Sequence, residues 1–302
     1  MANQLLEDIK KSIRNENPVT RLIVINVALF LCISFFKIVY LFSGYSLVVG
    51  TLEASFLRNI TLPLSIQGLV FKPWTLITYM FAQEDIFHIF WNMISLYWFG
   101  KLLSYYTATK KIIPLYILGG IAGALFTILM FAIVPMFQSY AYGTLIGASA
   151  SVTAIIVATA TLIPEVRINL PLIGPVKLLY VAVFYIFIDV LNLASEANVG
   201  GNISHLGGAL MGYVFIVQYK KGRDMSKWIN RFFDWVGGLF KRSPRSAMKV
   251  AHKKAISDEE FNSNRKANQQ TVDEILDKIS KSGYESLTKA EKDILFKASN
   301  KI

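Results

Sequence analysis

Six blocks of almost unbroken apolar residues limit what this chain can become: Leu22–Phe42, Ile86–Leu103, Leu115–Met136, Ile146–Leu162, Leu178–Leu193 and Ile203–Gln218. A hydrocarbon layer about 30 Å thick requires roughly 17–25 apolar residues per helix, and lipid offers no water to satisfy an open backbone. The expectation is therefore an all-α, polytopic membrane protein: a six-transmembrane-helix bundle followed by a small helical cytoplasmic C-terminal region. The shortest blocks fall at or just below the lower limit, so they should lie inside the bundle or begin below the membrane surface. Composition agrees, with 54% of the 302 residues hydrophobic and a mean hydropathy of +0.45.

The basic residues give an orientation. Lys10, Lys11, Arg14 and Arg21 precede the first block, Lys101 at the end of the second block is followed by Lys110 and Lys111 before the third, and Arg167 and Lys177 lie between the fourth and fifth. A dense group begins at Lys220. The alternate connections hold only Arg58 and Lys72, so the positive-inside rule puts both termini in the cytoplasm. The polar opening, Glu7-Asp8 through Asn17, lacks the pattern of a cleavable signal, and the first block is expected to stay as an anchor. Residues 1–20 read as a cytoplasmic segment and 21–221 as the membrane domain, in a bacterial cell (inner) membrane. The net charge of +11 is largely this topological signal plus a basic tail. The bilayer is the expected partner, and nucleic acid is not.

Polar groups are costly in hydrocarbon and usually face a protein interior or a water-filled cavity. Here His88 and Asn92 fall in the second block, Gly147-Ala148-Ser149-Ala150 opens the fourth, and Ser204-His205 opens the sixth. With the amino terminus inside, these blocks all start on the outer side. His88, Ser149 and His205 lie two or three residues after their starts, hence at one depth. A hydroxyl nucleophile needs a base to take its proton, and neutral imidazole suits that near pH 7. Ser149 and His205 fit those roles. His88 and Asn92, four apart on one helical face, can join the Ser149 N–H in stabilising an oxyanion. Asp189 is the one acid deep in a block and reads as structural, so the expected machinery is a Ser-His dyad.

These residues resemble the rhomboid family of intramembrane serine proteases over nearly all of Arg21 to Lys221. The matching pattern is His88-x-x-x-Asn92, Gly147-x-Ser149 and His205-x-x-Gly208-x-x-x-Gly212. The resemblance implies a six-helix core, Ser149 as nucleophile and His205 as general base. It also implies an oxyanion and substrate-binding site at His88, Asn92 and Gly147, with cleavage of transmembrane protein substrates near the outer boundary. Pro73-Trp74, after the partly apolar connection Gly44 to Lys72, is similar to the family's membrane-dipping first loop, and Asn202 to a polar residue some members carry. Three positions depart from the pattern. Ala150 stands where Gly is common, Thr153 where an aromatic often stacks on the histidine, and Thr75 where Arg is frequent. The methyl of Ala150 is expected to narrow the space beside the oxyanion, and Thr153 to leave the His205 ring less constrained.

Other readings stand beside this one. Gly119-x-x-x-Gly123 and Gly208-x-x-x-Gly212 permit close helix packing. Cys32 has no partner and reads as a small packing residue; the sequence shows neither metal-ligand spacing nor a cofactor motif. A non-proteolytic membrane chaperone or substrate-binding protein would use the same cavity, and a transporter is a weaker third class. After the last block, Trp228, Ile229, Phe232, Phe233, Trp235, Val236, Leu239 and Phe240 share one helical face, so residues 222–242 are expected to form an interfacial helix. Residues 243–270 read as a basic linker. The capping-box patterns at Thr271–Glu274 and Thr288–Glu291 predict a helical hairpin over 271–302 that offers a surface for a protein partner.

Overall fold

The computed structural model describes residues 17–170, 174–196, 198–240 and 258–299. The chain divides into two units, Met1–Lys241 and Arg242–Ile302.

Local chemistry sets the helix starts in the first unit. Asn17 accepts a hydrogen bond from Val19 N at 3.0 Å, and Pro18 takes the first helical position, where its missing N–H costs nothing, to begin α1 (Pro18–Phe42). The connection that follows contains two helices, α2 (Leu47–Ile60) and α3 (Ile66–Phe71), with the short strand β1 (Leu62–Pro63) between them. Trp74 Nε1 donates to Asn59 O at 2.9 Å and closes this segment just before the single turn α4 (Thr75–Thr78). Leu47, Val48, Ile66, Val70 and Phe71 are all exposed. Asp85 caps α5 (Ile86–Tyr106) by accepting from His88 N at 2.7 Å.

A 3₁₀ turn, Thr109–Lys111, leads into α6 (Ile112–Ile133), and a second, Pro135–Tyr142, leads to β2 (Thr144–Leu145). Strands β1 and β2 pair antiparallel, with Leu62 opposite Leu145, and tie the first connection to the segment preceding Ser149. Then come α7 (Ser149–Leu162), the hairpin β3 (Arg167–Leu170) and β4 (Gly174–Lys177), α8 (Leu178–Ala194) and α9 (Val199–Lys220). The two small ribbons correct the all-α expectation. Extended connections at these turns satisfy their backbone groups by pairing with each other.

Helix α7 sits at the centre, with nearly every residue from Ser149 to Ala160 buried. Its neighbours approach through glycine. A Cβ on Gly119 would overlap that of Ala154, and one on Gly123 would fall 2.6 Å from that of Ala150. On the other side, a Cβ on Gly208 would overlap the Ala150 carbonyl, and one on Gly212 that of Ala154. Both glycine pairs thus serve close packing against the same two alanines.

Two segments, Pro18–Phe42 and Thr109–Ile133, are long and apolar enough to cross a bilayer, while Ser149–Leu162 and Leu178–Ala194 are apolar but shorter. The helices fall where six spans were expected, but only those two meet the criterion of length and composition. At ~1.5 Å per residue, the 14 residues of α7 give a rod of about 21 Å, which the surrounding helices enclose. Cys32 faces outward, not into a packed interface.

Helix α10 (Lys227–Phe240) closes the first unit, with Ile229 buried and Trp228, Phe232, Phe233 and Trp235 exposed. In the second unit, α11 (Asp258–Ser282) begins at Asp258, so residues 258–270 are helical where a linker was expected. Thr271 lies inside this helix and bonds Ala267 O, so it is no cap. Gly283, at φ +76, ends α11. The second capping box forms as expected: Thr288 N donates to Glu291 Oε2 at 2.7 Å ahead of α12 (Lys289–Ser299). Residues 1–16, His252 and most of the basic linker lie outside the described residues.

Candidate active site

Ser149 is the first residue of α7, is 7% exposed, and has no hydrogen-bond partner for its hydroxyl among the described residues. The turn delivering it depends on Gly147. That residue has φ +131, a conformation side chains rarely tolerate, and its N–H donates to Tyr79 O at 3.0 Å. A Cβ there would also lie 2.9 Å from His88 Cε1, 3.6 Å from His88 Nε2 and 3.7 Å from Ser149 Oγ. His88 and the Ser149 hydroxyl therefore converge on the one face of Gly147 that carries no side chain.

Asn92 lies one turn below His88 on α5 and is buried. One of its amide hydrogens goes to Gln83 Oε1 at 2.8 Å. Gln83 donates to Asn26 Oδ1 at 3.0 Å, Asn26 donates to the Tyr116 hydroxyl at 3.1 Å, and Tyr116 donates to Met80 O at 2.6 Å. A buried polar chain of this kind holds the Asn92 plane in place while its second amide hydrogen stays available.

His205 lies in the second turn of α9, whereas Ser149 opens its helix. Equal distance from a helix start, the expectation from sequence, does not describe them. Packing brings their sequence neighbours to one place: at Gly123, a Cβ would fall 2.6 Å from the Ala150 side chain and 2.7 Å from Ser204 O.

Helix α8 completes the surroundings of His205. Asp189 Oδ1 lies 2.8 Å from His205 Nδ1, and both side chains are largely buried. The Tyr185 ring lies over His205 at 6.0 Å between centroids and 34° between planes. Thr153, one turn into α7, donates its O–H to Ser149 O at 2.8 Å. Two expectations change. The expected absence of an acid beside His205 is corrected, because the Asp189 carboxylate lies at hydrogen-bond distance from its Nδ1. The aromatic missing at position 153 is supplied by Tyr185, so the ring is not left loose. Ala150 also differs from expectation: its methyl is turned into the interface with Gly123 and Ser204. Thr75 is buried and bonds Lys72 O.

The model of the Rhomboid domain matches residues 70–221, which contain every residue named above except Asn26. The chain belongs to the rhomboid family. As a rhomboid it is an integral membrane protein, of a family that acts on membrane-protein substrates within the bilayer. Among curated relatives it is 30% identical over 159 residues to "RHOMBOID-like protein 12, mitochondrial" of Arabidopsis thaliana, a match covering 49% of this chain. It spans 47%, about half, of that relative's length. That relative's mitochondrial name lends no support to the bacterial inner membrane expected from the sequence. Residues 256–301 match a family of unknown function, DUF6576.

Sequence reading missed Gln83, Asn26, Tyr185 and the contact between Asp189 and His205. Signals existed for three of these: Asn26 is a lone amide inside an apolar block, and Tyr185 and Asp189 are four apart on one helical face.

Proposed function

We propose that this rhomboid is an intramembrane serine endopeptidase that cleaves membrane-anchored protein segments near the outer boundary. Ser149 Oγ attacks the scissile carbonyl carbon while His205 Nε2 takes its proton. The carbonyl oxygen, now an oxyanion, meets the Asn92 amide, the His88 ring and the Ser149 N–H. As the tetrahedral intermediate collapses, the C–N bond breaks and His205 returns the proton to the departing amine. Water then attacks the acyl ester with His205 again as base, releasing a carboxylate and restoring Ser149. Gly147 shapes the floor of this site, because any side chain there would fill the space between His88 and Ser149.

The observation that carries this reading is the convergence of His88 and an unengaged Ser149 hydroxyl on bare Gly147, beside a histidine held at Nδ1. In the proposed topology six helices cross the membrane with both termini cytoplasmic. Helix α10 then rests its aromatic face on the cytoplasmic leaflet, and the C-terminal helices serve as a protein-binding element. The chemistry is tested by treating detergent-solubilised protein with a fluorophosphonate probe. The wild type should label and Ser149→Ala should not. Label retained in Ser149→Ala but lost in Ser151→Ala would move the nucleophile by half a turn, and an unlabelled wild type would favour a non-proteolytic, substrate-holding rhomboid.

A further inference from the structure

Asp189 poses a question that a Ser-His dyad does not answer. It is a carboxylate on the inner face of α8, 5% exposed, in a helix whose other buried residues are Leu178 and Ala182. A buried carboxylate is costly unless its oxygens are matched. Oδ1 has His205, while Oδ2 has no hydrogen-bond partner among the described residues. A residue serving only to fasten α8 would do so at lower cost as an amide or hydroxyl. A negative charge is matched to this position only when the ring beside it turns positive.

Three further facts bear on that ring. Nδ1 is the atom bonded to Asp189, which leaves Nε2 as the nitrogen for other business. Tyr185, one turn before Asp189 on the same face of α8, places its ring beside that of His205, 6.0 Å away between centroids and tilted by 34°. Among the described residues, the charged or titratable groups near His205 are Asp189 and Tyr185 from α8 and His88 from α5.

We infer that Asp189 is a positioning residue that completes a Ser149-His205-Asp189 triad. It holds neutral His205 with its proton on Nδ1 and the Nε2 lone pair toward Ser149, and it stabilises the imidazolium formed when Ser149 gives up its proton. Asp189 stays ionised throughout: the proton moves from Ser149 Oγ to His205 Nε2 and on to the leaving amine. This rests on the protease reading of the site. It departs from the dyad expected from sequence by giving α8 a part in the chemistry.

The test combines turnover with ¹⁵N-histidine NMR on full-length protein in detergent, comparing wild type with Asp189→Asn, Asp189→Ala and Asp189→Glu. Wild-type neutral His205 should carry its proton on Nδ1, and Asp189→Ala should lose that preference. In both Asp189→Asn and Asp189→Ala, kcat should fall by about 10²-fold or more, by analogy with triads whose acid is replaced, while KM changes by less than about threefold. Asp189→Glu should recover part of the loss. A neutral His205 protonated on Nε2 in the wild type would overturn the inference. So would an Asp189→Ala protein that melts earlier but keeps the wild-type tautomer and kcat, since that is the behaviour of a tether. Should the wild type lack Ser149-dependent activity, the protease reading fails by itself, and the His205 tautomer still decides whether Asp189 positions the ring.

Discussion

Helices α7 and α8 are consecutive in the chain and are built on opposite plans. Almost every residue of α7 is buried, and its Ala150 and Ala154 are gripped by glycines of α6 and α9. Only Leu178, Ala182 and Asp189 of α8 are buried, while Val183, Phe184, Phe187 and Leu191 face outward. Lipid tails are as apolar as leucine, so an outer helix gains little by burying its apolar side chains against protein, and close backbone approach or a polar contact must hold it. The centre uses the first device and α8 the second. Ser149 thus opens a helix fixed by backbone packing, whereas Asp189 and Tyr185 reach His205 from an outward-facing helix. On the proposed mechanism, position is set most rigidly where attack angle matters, and charge is supplied from the periphery.

If that division is right, the largest effects belong to the reacting groups. Ser149→Ala and His205→Ala should each abolish cleavage while leaving insertion and thermal stability near wild type, read by turnover and melting in detergent. Substantial activity in either would break the comparison at its centre. Next comes Asn92→Ala, which should lower kcat about 10²–10³-fold with a smaller change in KM, as for other oxyanion donors. Gln83→Ala should fall between Asn92→Ala and wild type, because it frees the Asn92 plane without removing the donor.

Packing changes should separate the two helices cleanly. Gly208→Val drives a side chain into the Ala150 carbonyl and should destabilise the domain by about 1–3 kcal/mol, whereas Phe184→Ala on the outer face of α8 should stay within about 0.5 kcal/mol. Equal costs in a denaturant titration would show that α8 is packed like α7. Smaller still is a pH effect at the first unit's closing turn. Burial alone would raise the Asp224 pKa, but hydrogen bonds from Lys111 and Ser226 override it and hold it at about 2. A depressed carboxylate stabilises the folded state above its unfolded value near 4, and that stability is lost as pH falls toward 2. Asp224→Asn should remove this part of the pH dependence of melting, worth under about 1 kcal/mol. Deleting residues 242–302 should leave turnover in detergent unchanged.

Much of this was legible in the sequence because hydrocarbon imposes simple rules. Block length located α1 and α5 to α9 to within a few residues, and scarce polar groups picked out His88, Asn92, Ser149 and His205. What stayed hidden depends on which faces meet. Tyr185 and Thr153 are 32 positions apart, and nothing in either helix says that one replaces the aromatic the other lacks. Asp189 reads as an isolated acid until α8 is laid against α9. Gln83 falls in a connection, outside the apolar blocks where a polar residue draws notice. In the second unit the polar stretch before Thr271 hid the early start of α11, since a solvated helix carries little apolar period.

The central claim concerns where and how a bond is cut. Wild-type protein in lipid vesicles should be given a single-span substrate with Gly or Pro near its outer juncture, residues that make local unwinding cheaper by about 1 and 3 kcal/mol respectively. Mass spectrometry of the products then reads the site. The account predicts one Ser149-dependent cleavage within the substrate span near its outer end, absent with Ser149→Ala. Cleavage near the cytoplasmic end, products that persist with Ser149→Ala, or turnover of soluble proteins alone would contradict it.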